Sequence, residues 1–548
     1  TADYVIKAEF NPQTRLLEGT ETIEYVNNSR DSLSSIVIKL YQEIYKKGGM
    51  RNFEASPKEI TSGVKIKKLE IDSHQIDLKN PQTKAKKRGT NLIVKLPGRF
   101  APSSRHTLKI HWDYKVNIKP KRTGKYDESS YFIGYWYPRI SVYDDVHGWD
   151  VNNFLGTAEF YNDFCSYDVQ INVPKDFVVW GTGILQNPGE VLAEPYYSRY
   201  QQAHQSDEII HIVDSTENQT AKVTTQNDVN SWHFKAKNVS DFAFGLSDHY
   251  IWDATSITLG EKRVFIDAAY QNNTKDFSKV VDIAKNTIRL LSEEVIGIPY
   301  PFDKLSVFHG TFGMEFPMII NDGEFPTYHQ TVFVTSHEIT HSYIPFLVGS
   351  NERKYAWMDE GLVTFIPKDI EMELAPSHNP YYALVRGFEH WAGRENEMPL
   401  MVPTYLLNGT SYWIQSYSRS GAAIYCLSRL IGRDTFNEIF RVFVERWKYK
   451  HPLPYDYFYT AEDITGRDLS WFWKPWFFER GYPDLSLETV HNKGRELEVV
   501  VAKNGNIPTG IKLTFQHENG EETMVTYKAS VWKDGKSKFV VKKSFNVP

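Results

Sequence analysis

The sequence is poor in cysteine and has neither a long apolar run nor a basic block. Cys165 and Cys426 are its only cysteines, and they fall in what look like different domains. The fold is therefore expected not to depend on disulfides, and both residues are expected to be buried thiols. No run of about 18 apolar residues occurs, so no transmembrane segment is expected. The formal net charge of −5 and the lack of a basic face exclude nucleic acid as the expected partner.

The length and the first residues set two further expectations. A chain of 548 residues exceeds the size at which one hydrophobic core keeps growing, so about three domains are expected. The chain begins Thr1-Ala2-Asp3 without a methionine. This start favours a processed chain and, weakly, a secreted or periplasmic location, with a cytoplasmic one as the alternative.

Hydrophobic patterning predicts a multidomain α+β protein. Residues 1–243 contain short alternating or apolar runs separated by turn residues, which predicts an N-terminal antiparallel β-sheet domain. Apolar residues recur at helical spacing in 277–291, and 304–308 reads as a strand within the predicted domain 244–483. Residues 484–548 return to strand patterns and predict a small C-terminal β-sandwich-like domain.

The segment His337-Glu338-Ile339-Thr340-His341 carries the clearest chemical signal. On a helix, His337 and His341 project from one face and can share a metal, with Glu338 beside them. Glu360 follows after a gap of 18 residues, and two imidazoles with one carboxylate suit Zn²⁺. Apolar residues after the motif predict that its helix continues to Gly349, and 355–365 is predicted as a second helix. The alternative is two surface or core histidines and an unrelated acid.

Several motifs together resemble the gluzincin aminopeptidases, the family of aminopeptidase N and leukotriene hydrolase. The HExxH motif, the 18-residue gap and Trp357-Met358-Asp359-Glu360-Gly361 follow the family pattern. Gly313-Met314-Glu315 resembles its G-x-M-E-N segment, and the segment from Tyr417 resembles its Y-x-K-G segment.

The resemblance implies a thermolysin-like catalytic domain with one zinc ion per chain. His337, His341 and Glu360 would be the metal ligands, and Glu338 would be the general base. Tyr417 would face the reacting carbonyl. Glu315, with Gly313 and Met314, would bind the free amino group of a peptide substrate.

The chain also departs from the family pattern. Phe312 and Phe316 replace the first glycine and the asparagine of G-x-M-E-N, and Arg419 replaces the lysine of Y-x-K-G. Because Phe316 removes a polar side chain beside the amine anchor, a preference for apolar or aromatic first residues is expected. A second anchor for the amine has no clear match, with Asp127 and Glu128 as weak candidates. The chain has no room for the long helical C-terminal domain of many relatives, so a three-domain form is expected.

The sequence therefore predicts a zinc aminopeptidase that hydrolyses the N-terminal bond of peptides by attack of a metal-activated water. Two alternatives remain: a zinc endopeptidase with the same metal site, and a non-catalytic binding scaffold. A requirement for a free amino group separates the aminopeptidase from the endopeptidase.

Overall fold

A computed structural model describes residues 1–80, 85–119, 122–218 and 222–545. The last three residues of the predicted C-terminal domain, 546–548, lie outside this part of the chain. The described chain forms two compact units. The first unit comprises Thr1–Gly349, Asp369–His378 and Trp447–His451, and the second comprises Ser350–Lys368, Asn379–Arg446 and Pro452 onward. The predicted boundaries at residues 243 and 483 stay predictions.

The first unit is built mainly from strands. They are β1 (Ala2–Asn11), β2 (Leu16–Val26), β3 (Leu33–Lys39), β4 (Lys65–Ile71), β5 (His74–Gln75), β6 (Lys86–Arg88), β7 (Asn91–Phe100), β8 (Arg105–Lys115), β9 (Gly124–Lys125), β10 (Tyr131–Ile133), β11 (Arg139–Ile140), β12 (Tyr143–Asp144), β13 (Gly148–Trp149), β14 (Cys165–Pro174), β15 (Val178–Gly181), β16 (Ile184–Leu185), β17 (Ile210–Val213), β18 (Val229–Val239), β19 (Phe244–Ser247), β20 (Ile251–Leu259), β21 (Lys262–Tyr270), β22 (Lys304–His309) and β23 (Ile319–Asp322).

An eight-stranded sheet dominates the N-terminal region, in the order β16-β18-β14-β1-β2-β8-β4-β5. Burial alternates residue by residue along β1, which confirms the period-2 pattern expected of a strand with one face on a core. All pairings in this sheet are antiparallel except β1 with β14, which run parallel. No hairpin constrains that pair, because a long stretch of chain separates the two strands.

A second sheet, in the order β17-β20-β21-β22-β23, leads into the functional region. β22 is buried along its whole length, and β23 is the edge strand beside it. Met314 pairs with Asn321 of β23 through a single bridge, so the Gly313–Glu315 segment follows this edge without forming a strand of its own.

The helices are, in chain order, α1 (Pro188–Val191), α2 (Tyr196–Ala203), α3 (Val280–Leu290), α4 (Tyr328–Thr340), α5 (Glu352–Ala356), α6 (Leu362–Phe365), α7 (Lys368–Leu374), α8 (Pro380–Glu389), α9 (Gly409–Trp413), α10 (Ser420–Ile431), α11 (Arg433–Trp447), α12 (Pro454–Thr465) and α13 (Ser470–Trp473). Wider π turns extend four of these helical stretches, at Leu291–Val295, Trp357–Gly361, Ile414–Arg419 and Lys474–Phe478. None of the helices described is long and apolar enough to cross a membrane.

The second unit ends in two small sheets. Their strands are β24 (Leu485–Asn492), β25 (Glu496–Lys503), β26 (Ile511–Gln516), β27 (Glu522–Tyr527) and β28 (Lys538–Ser544). β24, β25 and β28 form one sheet and β26 pairs with β27. Val499, Val501, Ile511, Trp532 and Val541 share a buried core, as expected for the predicted β-sandwich-like region.

Two predictions were wrong in detail. Helix α4, which begins the HExxH motif, ends at Thr340 with His341 as its cap residue, rather than near Gly349. Pro345 explains the early end, because its ring removes an N–H group and clashes with the preceding helical turn. Cys165 and Cys426 are free, but only Cys165 is buried. Cys426 is partly exposed, with its Sγ 3.9 Å from the hydroxyl of Thr509.

Candidate active site

Helix α4 carries His337, and His341 is the residue that caps its C-terminal end. His337 and His341 are 6% and 0% exposed. Their rings cross at 83° with centroids 4.9 Å apart, and their Nε2 atoms lie 3.3 Å apart. The i, i+4 spacing therefore brings both imidazoles together as the sequence predicts.

Local contacts fix the orientation of His341. Its Nδ1 lies 3.2 Å from the carbonyl oxygen of Ile344. Because a carbonyl only accepts, Nδ1 carries the proton and Nε2 offers a lone pair. Two buried imidazoles with converging Nε2 atoms form a donor set that suits zinc.

The buried carboxyl group of Asp322 joins α4 to β23, the edge strand of the second sheet, through a hydrogen bond. Thr335 Oγ1 donates to Asp322 Oδ2 at 2.6 Å, two residues before His337. Burial raises the pKa of Asp322 to about 7. One turn earlier in α4, Val332 packs with Ile283 of α3 in a small apolar cluster. The metal-binding face of α4 is thus held by both polar and apolar contacts.

Glu338 lies directly under the backbone of Gly313. A Cβ atom placed on Gly313 would be 2.0 Å from Glu338 Oε1, so a larger residue at this position would displace the Glu338 carboxyl group or the backbone. Glu338 itself is 6% exposed. The strip of chain from residue 312 to residue 315 therefore runs past the carboxyl group predicted to act as general base.

Glu315 belongs to the same cluster. One side-chain donor atom from each of Glu315, Glu338 and His341 lies within 4.8 Å of the others, and all three residues are buried. Two carboxyl groups this close repel one another when both are ionised, so the arrangement favours a bound cation between or beside them.

Glu159 is a further acidic residue at this place that the sequence analysis missed. It is 3% exposed, and one of its carboxyl oxygens lies within 4.8 Å of one from Glu315. Arg122 pairs with Glu159 at 2.5 Å and also reaches the sulfur of Met314 at 3.0 Å. The available sequence signal was weak: an acidic residue next to the buried aromatic residues Phe160 and Tyr161.

The two weaker candidates for a second anchor have other roles. Asp127 closes its own turn by accepting from the backbone N–H of Ser130 at 2.7 Å, and it also pairs with His249 at 3.2 Å. Glu128 is fully exposed and pairs with Lys125 at 3.2 Å. Neither carboxyl group resembles the buried, clustered Glu159.

Glu360 lies in the second unit, where it is 2% exposed on the π turn Trp357–Gly361. The hydroxyl of Tyr417 donates to Glu360 Oε1. A Cβ atom on Gly361 would lie 2.5 Å from Ser420 Cβ, so this glycine allows the two helical segments to pack closely. The close packing keeps the Glu360 and Tyr417 side chains together.

Tyr417 also lies on a π turn, Ile414–Arg419, a feature that often marks functional sites. Its ring stacks on Trp413 with centroids 4.6 Å apart and planes at 29°. Tyr412 meets the same ring edge-on at 6.2 Å. Trp413 is 56% exposed, so one face of this aromatic group is accessible while the phenol is held in place.

Arg419, which stands where the family has lysine, is the last residue of this turn and holds it in place. It is fully buried, and its guanidinium pairs with Glu397. It also donates to the carbonyl oxygens of Trp476 at 2.9 Å and Glu479 at 2.6 Å. A planar guanidinium can satisfy this fan of acceptors, whereas an ammonium group offers fewer donors in a compact head.

Comparisons with known proteins identify relatives of the region that contains these residues. Residues 281–476 match the family model described as the peptidase family M1 domain. Leucine aminopeptidase 2 of Phaeosphaeria nodorum is 22% identical over 232 residues, which cover 39% of this chain and 36% of the relative. The chain spans only about a third of the length of the curated relatives that it matches first.

Two solved structures share the fold. The M1 zinc metallopeptidase from Deinococcus radiodurans matches with a TM-score of 0.61 and 14% identity, over 88% of this chain and 95% of that one. Aminopeptidase A of Legionella pneumophila, solved in complex with aspartic acid, matches with a TM-score of 0.68 and 12% identity, over 100% of this chain and 57% of that one. These likenesses confirm the predicted order of an N-terminal β region, a helical region and C-terminal sheets. Residues 281–476, which carry His337, His341, Glu338, Glu360 and Tyr417, are therefore a peptidase family M1 domain.

Proposed function

We propose that the protein is a zinc aminopeptidase that removes the first residue of peptides with a free amino terminus. The observation that carries this proposal is the buried group of Glu315, Glu338 and His341, with donor atoms within 4.8 Å of one another. It combines a carboxyl group suited to an ammonium ion, a carboxyl group suited to proton transfer, and a metal-binding imidazole.

We assign His337, His341 and Glu360 as the ligands of one zinc ion. The assignment is supported by the motif spacing and by the burial of all three side chains. It is also supported by the tautomer that the Ile344 carbonyl imposes on His341. Bound zinc supplies Lewis-acid activation of a water molecule and a carbonyl group.

The chain's own residues then carry the proton transfers and the binding of charge. Glu338 accepts a proton from the attacking water and passes it to the leaving amine. Tyr417 turns its hydroxyl from Glu360 toward the oxygen that gains negative charge during the reaction. Glu315 and Glu159 hold the substrate ammonium, and Arg122 offsets part of their combined negative charge.

The spacing of Glu315 and Glu338 favours cleavage of the first bond. In a peptide, the amino nitrogen and the first carbonyl carbon are separated by two bonds of about 1.5 Å each. A carboxylate that binds the ammonium must therefore lie within a few ångströms of the group that acts at that carbonyl. A carboxyl oxygen of Glu315 lies within 4.8 Å of one of Glu338, which fits this requirement.

The endopeptidase alternative differs in one respect. An endopeptidase passes a continuous chain through the site and has no use for two buried carboxyl groups beside the general base. The cluster of Glu159 and Glu315 thus favours the exopeptidase, because an ammonium ion offsets the cost of burying them.

Paired substrates test the proposal. A peptide beginning with leucine is compared with its N-acetylated form, while elemental analysis measures zinc per chain. Cleavage of the free peptide alone, with about one zinc per chain, is expected. Glu315→Gln is expected to lower kcat/KM on the free peptide about ten- to a hundredfold. Glu373→Gln, which changes an exposed acid, is the matched control and is expected to leave it unchanged.

Three outcomes would contradict the proposal. Equal cleavage of acetylated and free peptides, or internal cuts in a peptide blocked at both ends, would establish the endopeptidase. Absence of hydrolysis in zinc-loaded protein would favour the binding scaffold. A secreted or periplasmic location remains a separate prediction, and fractionation of the producing cells would test it.

A further inference from the structure

Phe312 stands out among the surface residues next to the candidate site. At 75% exposure it is the most exposed large hydrophobic side chain in the described part of the chain. Its backbone has a φ of 61°, in the left-handed region that favours glycine. An exposed aromatic ring contributes little to a hydrophobic core, and the left-handed conformation disfavours phenylalanine. The fold alone therefore gives no reason for this residue.

The unusual conformation is imposed by the neighbouring chain. Met314 and Asn321 exchange two backbone hydrogen bonds, of 2.9 and 2.8 Å. A Cβ atom on Gly323 would lie 2.7 Å from the backbone nitrogen of Phe312. The turn at Phe312 is thus pressed against the end of β23, and its ring projects from a supported backbone.

Phe316, the other aromatic departure from the family pattern, has a different environment. It is 2% exposed, and its ring packs against Tyr135 at 5.0 Å and Phe132 at 5.2 Å. Phe316 is therefore buried in an aromatic cluster, and the preference for apolar or aromatic first residues stays a prediction. Of these two replacements, only Phe312 offers a surface to a ligand.

The order of residues along the strip indicates which part of a substrate Phe312 meets. Glu315, the proposed ammonium anchor, lies at one end, and Gly313 passes within contact distance of Glu338 in the middle. Phe312 lies one residue further on, away from Glu315. Consecutive Cα atoms are about 3.8 Å apart both in this strip and in a peptide substrate. An extended peptide whose amino group is at Glu315 and whose first bond is at Glu338 therefore brings its second residue to Phe312.

We propose that Phe312 contacts the side chain of the second substrate residue and favours an apolar or aromatic group there. This specificity role rests on the proposed aminopeptidase function. The ring gives the leaving part of the substrate an apolar surface at a position where glycine would leave open solvent. Phe312 does not take part in the chemistry, so its effect appears as a preference among substrates.

Three dipeptides separate the two substrate positions. Ala-Phe and Ala-Ala differ only in the second residue, whereas Phe-Ala and Ala-Ala differ only in the first. In Phe312→Ala, the ratio of kcat/KM for Ala-Phe to that for Ala-Ala is expected to fall between about two- and twelvefold, the range for one aromatic pair. The ratio for Phe-Ala to Ala-Ala is expected to stay constant.

Two further variants serve as controls, one for the aromatic ring at position 312 and one for the loss of an exposed aromatic residue elsewhere. Phe312→Tyr keeps the ring and is expected to retain the second-residue ratio. Tyr459→Ala removes another exposed aromatic residue, 64% exposed on α12, and is expected to change neither ratio.

The outcomes distinguish this inference from the function on which it rests. An unchanged second-residue ratio in Phe312→Ala, in an enzyme that cleaves all three dipeptides, overturns the role of Phe312 and leaves the aminopeptidase proposal standing. A change confined to the first-residue ratio has the same meaning. A wild-type protein that cleaves none of the free dipeptides overturns both.

Discussion

Glu21 provides a sharp test of how burial determines stability in the N-terminal sheet. It is 3% exposed on the inner face of β2, with Ile6 and Ile110 as its cross-strand neighbours. Among the described residues, neither of its carboxyl oxygens has a hydrogen-bond partner. Burial raises the pKa of Glu21 well above its usual value, so the folded protein holds this carboxyl group in its neutral form.

The sign of the pH dependence follows from this shift. The unfolded chain releases the Glu21 proton near pH 4.5, whereas the folded protein retains it to higher pH. Over that interval the folded state binds more protons, so the free energy of unfolding falls as pH rises, by up to about 1.4 kcal/mol per pH unit. Burying the unpaired neutral group costs a further ~1–3 kcal/mol at any pH.

We expect Glu21→Met, which keeps the length of the side chain and removes its polar atoms, to stabilise the protein. The gain should increase as the pH rises above about 4.5, where the unfolded chain ionises, by up to about 1.4 kcal/mol per unit. Urea unfolding at several pH values, monitored by tryptophan fluorescence, measures it. Glu24→Gln is the control, because Glu24 lies on the other face of β2 and accepts from Thr107 at 2.7 Å. A destabilised variant, or a gain independent of pH, would refute the reasoning.

Three further predictions concern the candidate site. Glu338→Gln should lower kcat about 10²–10⁴-fold with zinc content unchanged by elemental analysis, because the proton carrier is lost and the ligands remain; near-normal turnover would exclude this role. Tyr417→Phe should lower kcat about 10²–10³-fold in steady-state assays with little change in KM, and a selective rise in KM would instead indicate a binding role. Arg419→Met should cost about 3–5 kcal/mol in urea unfolding because Glu397 stays buried without its partner. Arg386→Met, which breaks an exposed pair with Glu389, is the control for Arg419→Met and should cost at most about 1 kcal/mol; equal losses would contradict the argument.

Local sequence patterns were sufficient to predict the elements that carry the site. The i, i+4 spacing of His337 and His341 predicts a helix with both rings on one face, and α4 confirms it. The alternating runs of the N-terminal region predict strands, because a period of two follows directly from strand geometry. The Phe316 environment was not predictable in this way, since its aromatic neighbours come from β10 and its flanking chain.

Features that depend on distant parts of the chain were missed. Glu159 approaches Glu315 only after 155 or so intervening residues fold, and its local sequence does not distinguish it from a surface acid. The parallel pairing of β1 with β14 is equally non-local. The early end of α4 is locally encoded by Pro345, but the apolar residues on both sides of the proline continue the helical pattern and so predict a longer helix.

The π turns have a consequence for how this chain can vary in length. A π turn contains one residue more than the α-helical turn it replaces, so the residues after it are rotated by about 100° relative to an uninterrupted helix. The stretch from Gly409 to Ile431 contains such a turn at Tyr417. Deleting one residue there would still leave a helix, but either Tyr417 would turn away from Glu360 or the buried side chains of α10 would leave the core. Surface loops in general tolerate insertions and deletions, whereas the number of residues in this helix is fixed by the position of the Tyr417 phenol.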